Sequence, residues 1–180
     1  MPRLDPSTDD RTSRPPVEFD EPELVRRAQL GSSSAFERLV LARGPQLYRY
    51  LAIRLRDDGD ALDALQETLT AAWQGLPRLR ETGKFWPWLV GIAAHKAADA
   101  ARGRVQPSHR DLEAPGQGED DMLEVREAVA ALREHFRQVL LLRYLVGLSE
   151  EEVAEALGIR VGTVKSRSAR ARKALEELLR

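Results

Sequence analysis

The 180-residue chain contains no cysteine, which excludes disulfides, thiolate catalysis and every cysteine-ligated zinc site. Aromatic residues make up only 6% of it. With β-branched runs also scarce and Leu and Ala dominating the apolar set, a β-sandwich or barrel is disfavoured and helices are expected. Three histidines are present, but no HExxH spacing and no glycine-rich phosphate loop, so conventional catalysis has little to work with. No apolar run reaches the roughly 18 residues of a bilayer span, and the polar, proline-containing start lacks the apolar stretch of a signal peptide. These absences predict a cytoplasmic protein with no membrane insertion of its own, no cofactor and no metal.

A charge excess is missing too: 28 Lys and Arg stand against 29 Asp and Glu, a net charge of −1. The mean conceals an asymmetry. Residues 1–23 carry seven acids and three bases, net −4, whereas residues 158–180 carry seven bases and two acids, net +5. A basic patch at the C-terminal end is the electrostatic feature to explain.

The chain divides by composition. Residues 1–23 form an acidic tail whose first twenty residues, rich in Pro, Ser, Thr and Asp, bury too little apolar surface to offset chain entropy and are expected to be disordered. Residues 105–121 hold Pro107, Pro115, Gly116, Gln117 and Gly118 with five acids and read as a flexible linker. What remains is two helical modules, 24–104 and 122–180. The predicted fold is all-α: two small helical domains and a linker.

In the first module, Ser32, Ser33 or Ser34 caps a helix bearing Phe36, Leu39, Val40, Leu47, Leu51 and Leu55, with Gly44-Pro45 predicted to kink it or split it in two. A second helix, from about 60 to 75, is expected to bury Leu62, Leu65, Leu69, Ala72, Trp73 and Leu76 and to leave Asp60, Asp63, Gln66 and Glu67 on the opposite edge. That edge makes a weak metal site and a better docking surface or solvated face. A third helix starts near Pro87 and runs to about Arg102. At its entrance Lys84, Phe85, Trp86 and Trp88 combine large rings with a positive charge, as capture of an unpaired base requires. Trp88 reads as core, while Trp86 reads equally well as core or as a base-stacking group. His95, Lys96, Asp99 and Arg102 group on the exposed side of that helix.

The second module is expected to open with one long helix from near Met122 to about Tyr144. Gly147 then ends a helix, and Ser149 with Glu152 forms a capping box for the next, which buries Val153, Ala154 and Leu157. Gly158-Ile159 turns the chain into a last helix from about 161 toward Leu179. Helix, glycine turn and basic helix make a helix-turn-helix pattern, whose second helix enters the major groove. On it, Arg160, Thr163, Lys165, Ser166, Arg167, Arg170 and Arg172 are residue types that donate to phosphates and guanine edges. Val164, Ala171 and Leu175 would pack it inward.

At this point the residues resemble a family, the two-domain bacterial sigma factors called extracytoplasmic-function (group IV) sigma factors of the sigma-70 family. Asp60-Ala-Leu-Asp63-Ala-Leu-Gln66-Glu67-Thr68-Leu69 followed by Trp73 resembles the region 2 segment that docks on the clamp helices of core RNA polymerase. Phe85, Trp88-Leu89-Val90-Gly91-Ile92-Ala93, Asp99 and Arg102 resemble the segment that melts and reads the minus-ten promoter element. Val139-Leu140-Leu141-Leu142-Arg143-Tyr144, Gly147-Leu148-Ser149, Glu152-Val153-Ala154, Leu157-Gly158-Ile159 and the run from Val161 to Arg167 resemble region 4, which reads the minus-thirty-five element.

The resemblance implies a promoter-specificity subunit without catalytic activity. Its implied partners are core RNA polymerase, through clamp helices and flap, promoter DNA, and an anti-sigma factor. It implies core-polymerase contacts at Asp60, Asp63, Gln66 and Glu67; minus-ten contacts at Lys84, Phe85, Trp86, Trp88, His95, Lys96, Asp99 and Arg102; and minus-thirty-five contacts along the basic last helix. The sequence departs from the family pattern at His95, where Asn is usual, and at Ser168, where Leu is usual. The first bears on minus-ten preference, the second on packing of the last helix. A stand-alone operator-binding regulator is the main rival, and it leaves the patterns at 60–73 and 84–102 without a role; a sigma mimic that occupies an anti-sigma factor is the other.

Overall fold

The computed structural model describes residues 19–103 and 120–180. The acidic tail and the linker fall almost entirely outside the described residues. Among those residues the structure has eight α-helices, two short 3-10 turns, one π turn and no strand, in accord with the all-α expectation.

The first helix, α1 (Glu21–Gln29), begins inside the segment read as acidic tail. Asp20 caps it by accepting from the Glu23 amide at 3.1 Å, and Pro22 occupies the first turn, where no amide donor is needed. Leu24, Val25 and Ala28 are its buried face. Three apolar residues are too few for periodicity to announce a helix beside so many acids.

Helix α2 (Ser33–Leu55) is continuous through Pro45, where a kink or a split into two helices was expected; it is not split. Proline removes one amide donor, but Leu39 on one side and Leu47, Tyr50 and Leu51 on the other are all fully buried, and packing on both sides of Pro45 holds the two halves as one element. Ser32 supplies the N-cap, accepting from the Ala35 amide.

Helix α3 (Asp58–Gly75), capped by Asp57, corrects the expected face. Its buried residues are Ala61, Ala64, Thr68 and Ala72, whereas Leu62 is 55% and Trp73 38% exposed. Small residues let α3 lie close against α2 and α4, and Thr68 satisfies its hydroxyl on the Ala64 carbonyl at 2.6 Å. Ala72, and Leu76 just beyond the helix, are fully buried as expected.

Helix α4 (Phe85–Gly103) spans the predicted third helix. The expected long helix of the second module is instead α5 (Asp120–Ala131), α6 (Glu134–Leu140) and a π turn over Leu141–Leu145. The break falls at Leu132-Arg133, with neither Gly nor Pro to signal it. Arg137 stabilises it by donating to the Ala130 carbonyl at 2.7 Å, so an orphan carbonyl at the end of α5 finds a partner. Helices α7 (Glu150–Leu157) and α8 (Val161–Leu178) complete the chain.

One large apolar cluster holds both modules. It contains Leu39, Leu47, Leu51 and Leu89 from the first module and Val139, Leu142, Leu148, Val153 and Val164 from the second. A smaller cluster of Leu132, Leu140 and Ala171, with Phe136, Ala174 and Leu175 against it, fixes the far end of α8 onto α6. No helix among the described residues is long and apolar enough to cross a membrane.

Candidate nucleic-acid interface

The geometry of the last two helices follows from local chemistry. Ser149 accepts from the Glu152 amide at 3.1 Å while the Glu152 carboxylate accepts from the Ser149 amide at 2.7 Å, a closed capping box. Gly158 ends α7 at φ +62°, a left-handed conformation that glycine adopts without strain, and the Ile159 amide returns to the Ala154 carbonyl at 3.0 Å. Val164, Ser168 and Ala171 are the buried stripe of α8. The basic side of α8 therefore faces out: Arg160, Lys165, Ser166, Arg170 and Arg172 are exposed, and Thr163 and Arg167 half-buried. Lys165 reaches Glu150 at 3.7 Å, an exposed pair too weak to withhold it from a phosphate.

Ser168 is buried, at 6% exposure, and its hydroxyl has no hydrogen-bond partner among the described residues. A buried hydroxyl without a partner is destabilising, and alanine also favours a helix. Ser168→Ala is expected to raise stability by about 1 kcal/mol, read as a higher urea midpoint at unchanged m.

The residues assigned by sequence to the minus-ten element lie at the start of α4 and along it, but in two different environments. Phe85 is a core residue at 1% exposure. Trp86 is 8% exposed; its indole N–H donates to the Val146 carbonyl of the second module at 3.3 Å, and the Arg43 guanidinium lies over its ring at 5.0 Å. Trp88 is half-buried, and its ring passes so near Gly75 that a Cβ there would sit 3.1 Å from it. Trp86, open between two readings in the sequence, is thus the more enclosed of the two indoles, because a non-local partner covers it.

Further along α4, His95, Asp99 and Arg102 are exposed and Lys96 half-buried. His95 Nδ1 lies 2.7 Å from the Gly91 carbonyl. The nitrogen that faces a carbonyl carries a hydrogen, which leaves Nε2 as the ring nitrogen free to meet DNA. Asp99 and Arg102 are paired with each other. Lys96 bonds Glu67 of α3 at 3.0 Å, which ties the acidic edge to α4.

On α3, Asp63, Gln66 and Glu67 are exposed along one edge and Asp60 is half-buried at its start. Beside them runs a groove that sequence reasoning missed, lined by Phe36, Leu62, Leu65, Gln66, Leu69 and Trp73. Phe36 and Trp73 form its end wall, with ring centroids 5.1 Å apart. The leucine and tryptophan stripe assigned to the core is what makes this groove; only the neighbouring stripe of alanines and a threonine could have shown that.

Also unanticipated is a polar junction between the modules. Arg54 on α2 has only 4% of its side chain exposed, yet donates to the Tyr50 hydroxyl (2.8 Å), the Ala94 carbonyl (2.9 Å) and Glu134 on α6 (3.1 Å). With its amide turned so that oxygen faces the guanidinium, the orientation that satisfies both groups, Gln138 accepts from Arg54 at 3.1 Å. Burial by itself pushes the Glu134 carboxyl up, but the Arg137 hydrogen bond and the Arg54 and Arg137 charges outweigh it and hold Glu134 below the usual carboxylate range. Tyr50 is pushed up, chiefly by burial, against the opposing Arg54 charge. The sequence signal was a lone arginine in the apolar run Leu51-Ala-Ile-Arg54-Leu55. Among the described residues no cluster of histidines and acids is disposed to hold a metal ion.

Comparison with known proteins gives matches over both modules. The family model described as sigma-70 region 2 matches residues 39–105, and that described as sigma-70, region 4 matches residues 122–175. The chain is 36% identical over 163 residues to the ECF RNA polymerase sigma factor SigC of Mycobacterium tuberculosis, covering 84% of this chain and 87% of that protein. It is 35% identical over 174 residues to the ECF RNA polymerase sigma-E factor of Escherichia coli K12, covering 85% and 91%. Among solved structures, CnrH in complex with the cytosolic domain of CnrY superposes with a TM-score of 0.73 at 29% identity, covering 88% of this chain and 96% of that one. The sigma factor RpoE in complex with the anti-sigma factor NepR, from Bartonella quintana, gives 0.72 at 26% identity, covering 80% and 96%.

Proposed function

The chain belongs to the sigma-70 family of RNA polymerase sigma factors, among its extracytoplasmic-function members, and from that premise we propose how its surfaces divide the work. It is a transcription initiation factor and not an enzyme: it binds core RNA polymerase and directs it to promoters, and the polymerase supplies the chemistry.

In our reading, the α3 edge of Asp60, Asp63, Gln66 and Glu67, together with the adjoining apolar groove, docks on the polymerase clamp helices. Lys84, just ahead of α4, and the α4 residues Trp86, Trp88, His95, Lys96, Asp99 and Arg102 serve the minus-ten element, with the buried Phe85 supporting them from the core. There His95, with Nδ1 held by the Gly91 carbonyl, meets the base edges through Nε2. Arg160, Thr163, Lys165, Ser166, Arg167, Arg170 and Arg172 read the minus-thirty-five element. An anti-sigma factor controls the protein, a role supported by the likeness to sigma factors solved with CnrY and NepR bound. The place of action is the cytoplasm, with the polymerase and the DNA. Near-zero net charge fits a subunit carried to DNA by a large enzyme, since weak autonomous binding avoids capture by non-specific sites.

The observation that carries this reading is the outward basic face of α8, presented on a capped helix-turn-helix in a chain that also bears a region 2 module. In vitro transcription tests it: purified protein with core polymerase on a promoter library is expected to give specific transcripts that are absent without it. Core binding without transcripts would instead assign a sigma mimic, and absence of core binding a stand-alone regulator.

A further inference from the structure

Helix α2 turns to solvent a face that neither the promoter nor the core-polymerase assignments use. Arg38, Arg49 and Arg56 follow one another at eleven and seven positions, close to three and two whole turns, so they stand in line along roughly 27 Å of helix. Arg49 is exposed, and Arg38 and Arg56 are half-buried. Among the described residues none of the three has an ion pair or a side-chain hydrogen bond, whereas Arg26, Arg43 and Arg54 each hold a carboxylate. Between Arg38 and Arg49 the face carries Leu41, Ala42 and Pro45, all exposed, Leu41 at 70%.

Arg56 adds an independent observation. It closes α2 at φ +58° and ψ +30°, and among the described residues it is the one non-glycine with a positive φ. Left-handed backbone is costly for an L side chain and free for glycine. Glycine here would keep the amide bond to the Ala52 carbonyl, 2.9 Å long, so the helix end does not itself call for a guanidinium. Strain kept at a surface position points to a use for the side chain.

The stripe lies on the opposite side of α2 from Phe36, which lines the α3 groove, and from Arg54, which faces α4 and α6. DNA held on α4 or polymerase held on α3 therefore leaves it open. Its chemistry also differs from that of α8. There Thr163, Lys165 and Ser166 supply hydroxyl and ammonium donors suited to phosphates. On α2 the cations are all arginine, the residues between them in line are apolar, and no hydroxyl or amide donor intervenes. Arginine among apolar neighbours, without lysine, is the composition of protein interfaces.

We propose that the outer face of α2 docks an acidic amphipathic segment of a regulatory protein, whose carboxylates meet Arg38, Arg49 and Arg56 and whose apolar side chain sits on Leu41 and Pro45. The partner binds while core polymerase and promoter are engaged, and only this simultaneity rests on the surfaces assigned above.

The test uses a labelled synthetic helical peptide, with glutamates spaced to meet the three arginines and leucines between them, titrated into the full-length chain. It is expected to bind at least tenfold more tightly than the same peptide with glutamine for glutamate. Arg49→Glu should weaken it at least tenfold and Leu41→Ser at least threefold. Arg56→Gly should weaken it severalfold while raising the urea midpoint, which separates loss of binding from loss of fold.

Equal binding of the two peptides, or an Arg49→Glu change without effect, overturns the acidic partner. Leu41→Ser without effect reduces the contact to charge alone and overturns the docking site. Binding of random-sequence duplex DNA that falls tenfold on Arg49→Glu assigns the stripe to nucleic acid and overturns the protein partner. The complex with core polymerase on promoter DNA is expected to bind the peptide as tightly as the free chain. Displacement of the peptide by core polymerase would give the stripe to the polymerase and overturn a separate partner. Wild-type chain that binds the peptide yet gives no transcripts marks the failure of the sigma assignment instead.

Discussion

Replacing Lys165, Arg167 and Arg170 together by alanine is expected to lower promoter-complex formation at least about a hundredfold, because each cation contributes roughly 1–3 kcal/mol whether it pairs a guanine edge or a phosphate. Lys165 and Arg170 are exposed and Arg167 half-buried beside the buried stripe of Val164, Ser168 and Ala171, so truncating them removes donors to DNA and leaves that stripe itself in place. The ion pair from Lys165 to Glu150 is 3.7 Å long and exposed, and such pairs add little to stability. Alanine is also the best helix former, so far-UV circular dichroism should be unchanged. The salt dependence gives the sharper reading. Each phosphate that is no longer neutralised should flatten the slope of log affinity against log salt by about 0.9, for a total near 2 to 3 if all three cations pair with phosphates. A preserved slope with weaker binding would assign them to base edges, and an unchanged affinity would remove α8 from promoter recognition.

The second large effect is expected at the groove between α2 and α3. Trp73→Ala combined with Leu62→Asp should weaken binding to core polymerase by roughly a hundredfold or more, since a tryptophan anchor at an interface is commonly worth 2 kcal/mol or above and a carboxylate in its place must be desolvated. Both residues are substantially exposed, Leu62 at 55% and Trp73 at 38%, and Trp73 leans on Phe36 rather than on the core. Stability should therefore fall little in thermal unfolding, while fluorescence anisotropy with labelled core polymerase shows the weakened binding. Retained core affinity would place the docking surface elsewhere than this groove. Of the four polar residues chosen from the sequence, Gln66 lines this groove, while Glu67 turns to Lys96 of α4. Polar residues at a rim set orientation and on-rate more than affinity, which an apolar centre supplies.

These two surfaces differ in how legible each is in the amino-acid sequence. The helix-turn-helix can be read residue by residue: Ser149 and Glu152 close their capping box, Gly158 takes a left-handed turn, and α8 turns Lys165, Arg170 and Arg172 outward. All of this is local, decided by hydrogen bonds and dihedral preferences within a few residues. The groove is not readable in the same way. The period of Leu62, Leu65, Leu69 and Trp73 identifies an apolar stripe, and an apolar stripe is ordinarily core. Here the neighbouring stripe of Ala61, Ala64, Thr68 and Ala72 is the core side, because close helix approach rewards small side chains and leaves the large ones outside.

The sequence by itself determined the all-α class, the two modules, the capped helix-turn-helix and the family, since each depends on spacing, caps, turns or ordered motifs. Only the tertiary structure decided that α2 runs unbroken through Pro45, that α5 and α6 part at Leu132-Arg133, and that Trp86 and Arg54 are enclosed by residues 60 and 80 positions away. The reason is physical. Periodicity records that a side chain has an apolar or a polar face, whereas what covers that face depends on contacts between segments far apart in the chain, whose energies balance only when every element is in place.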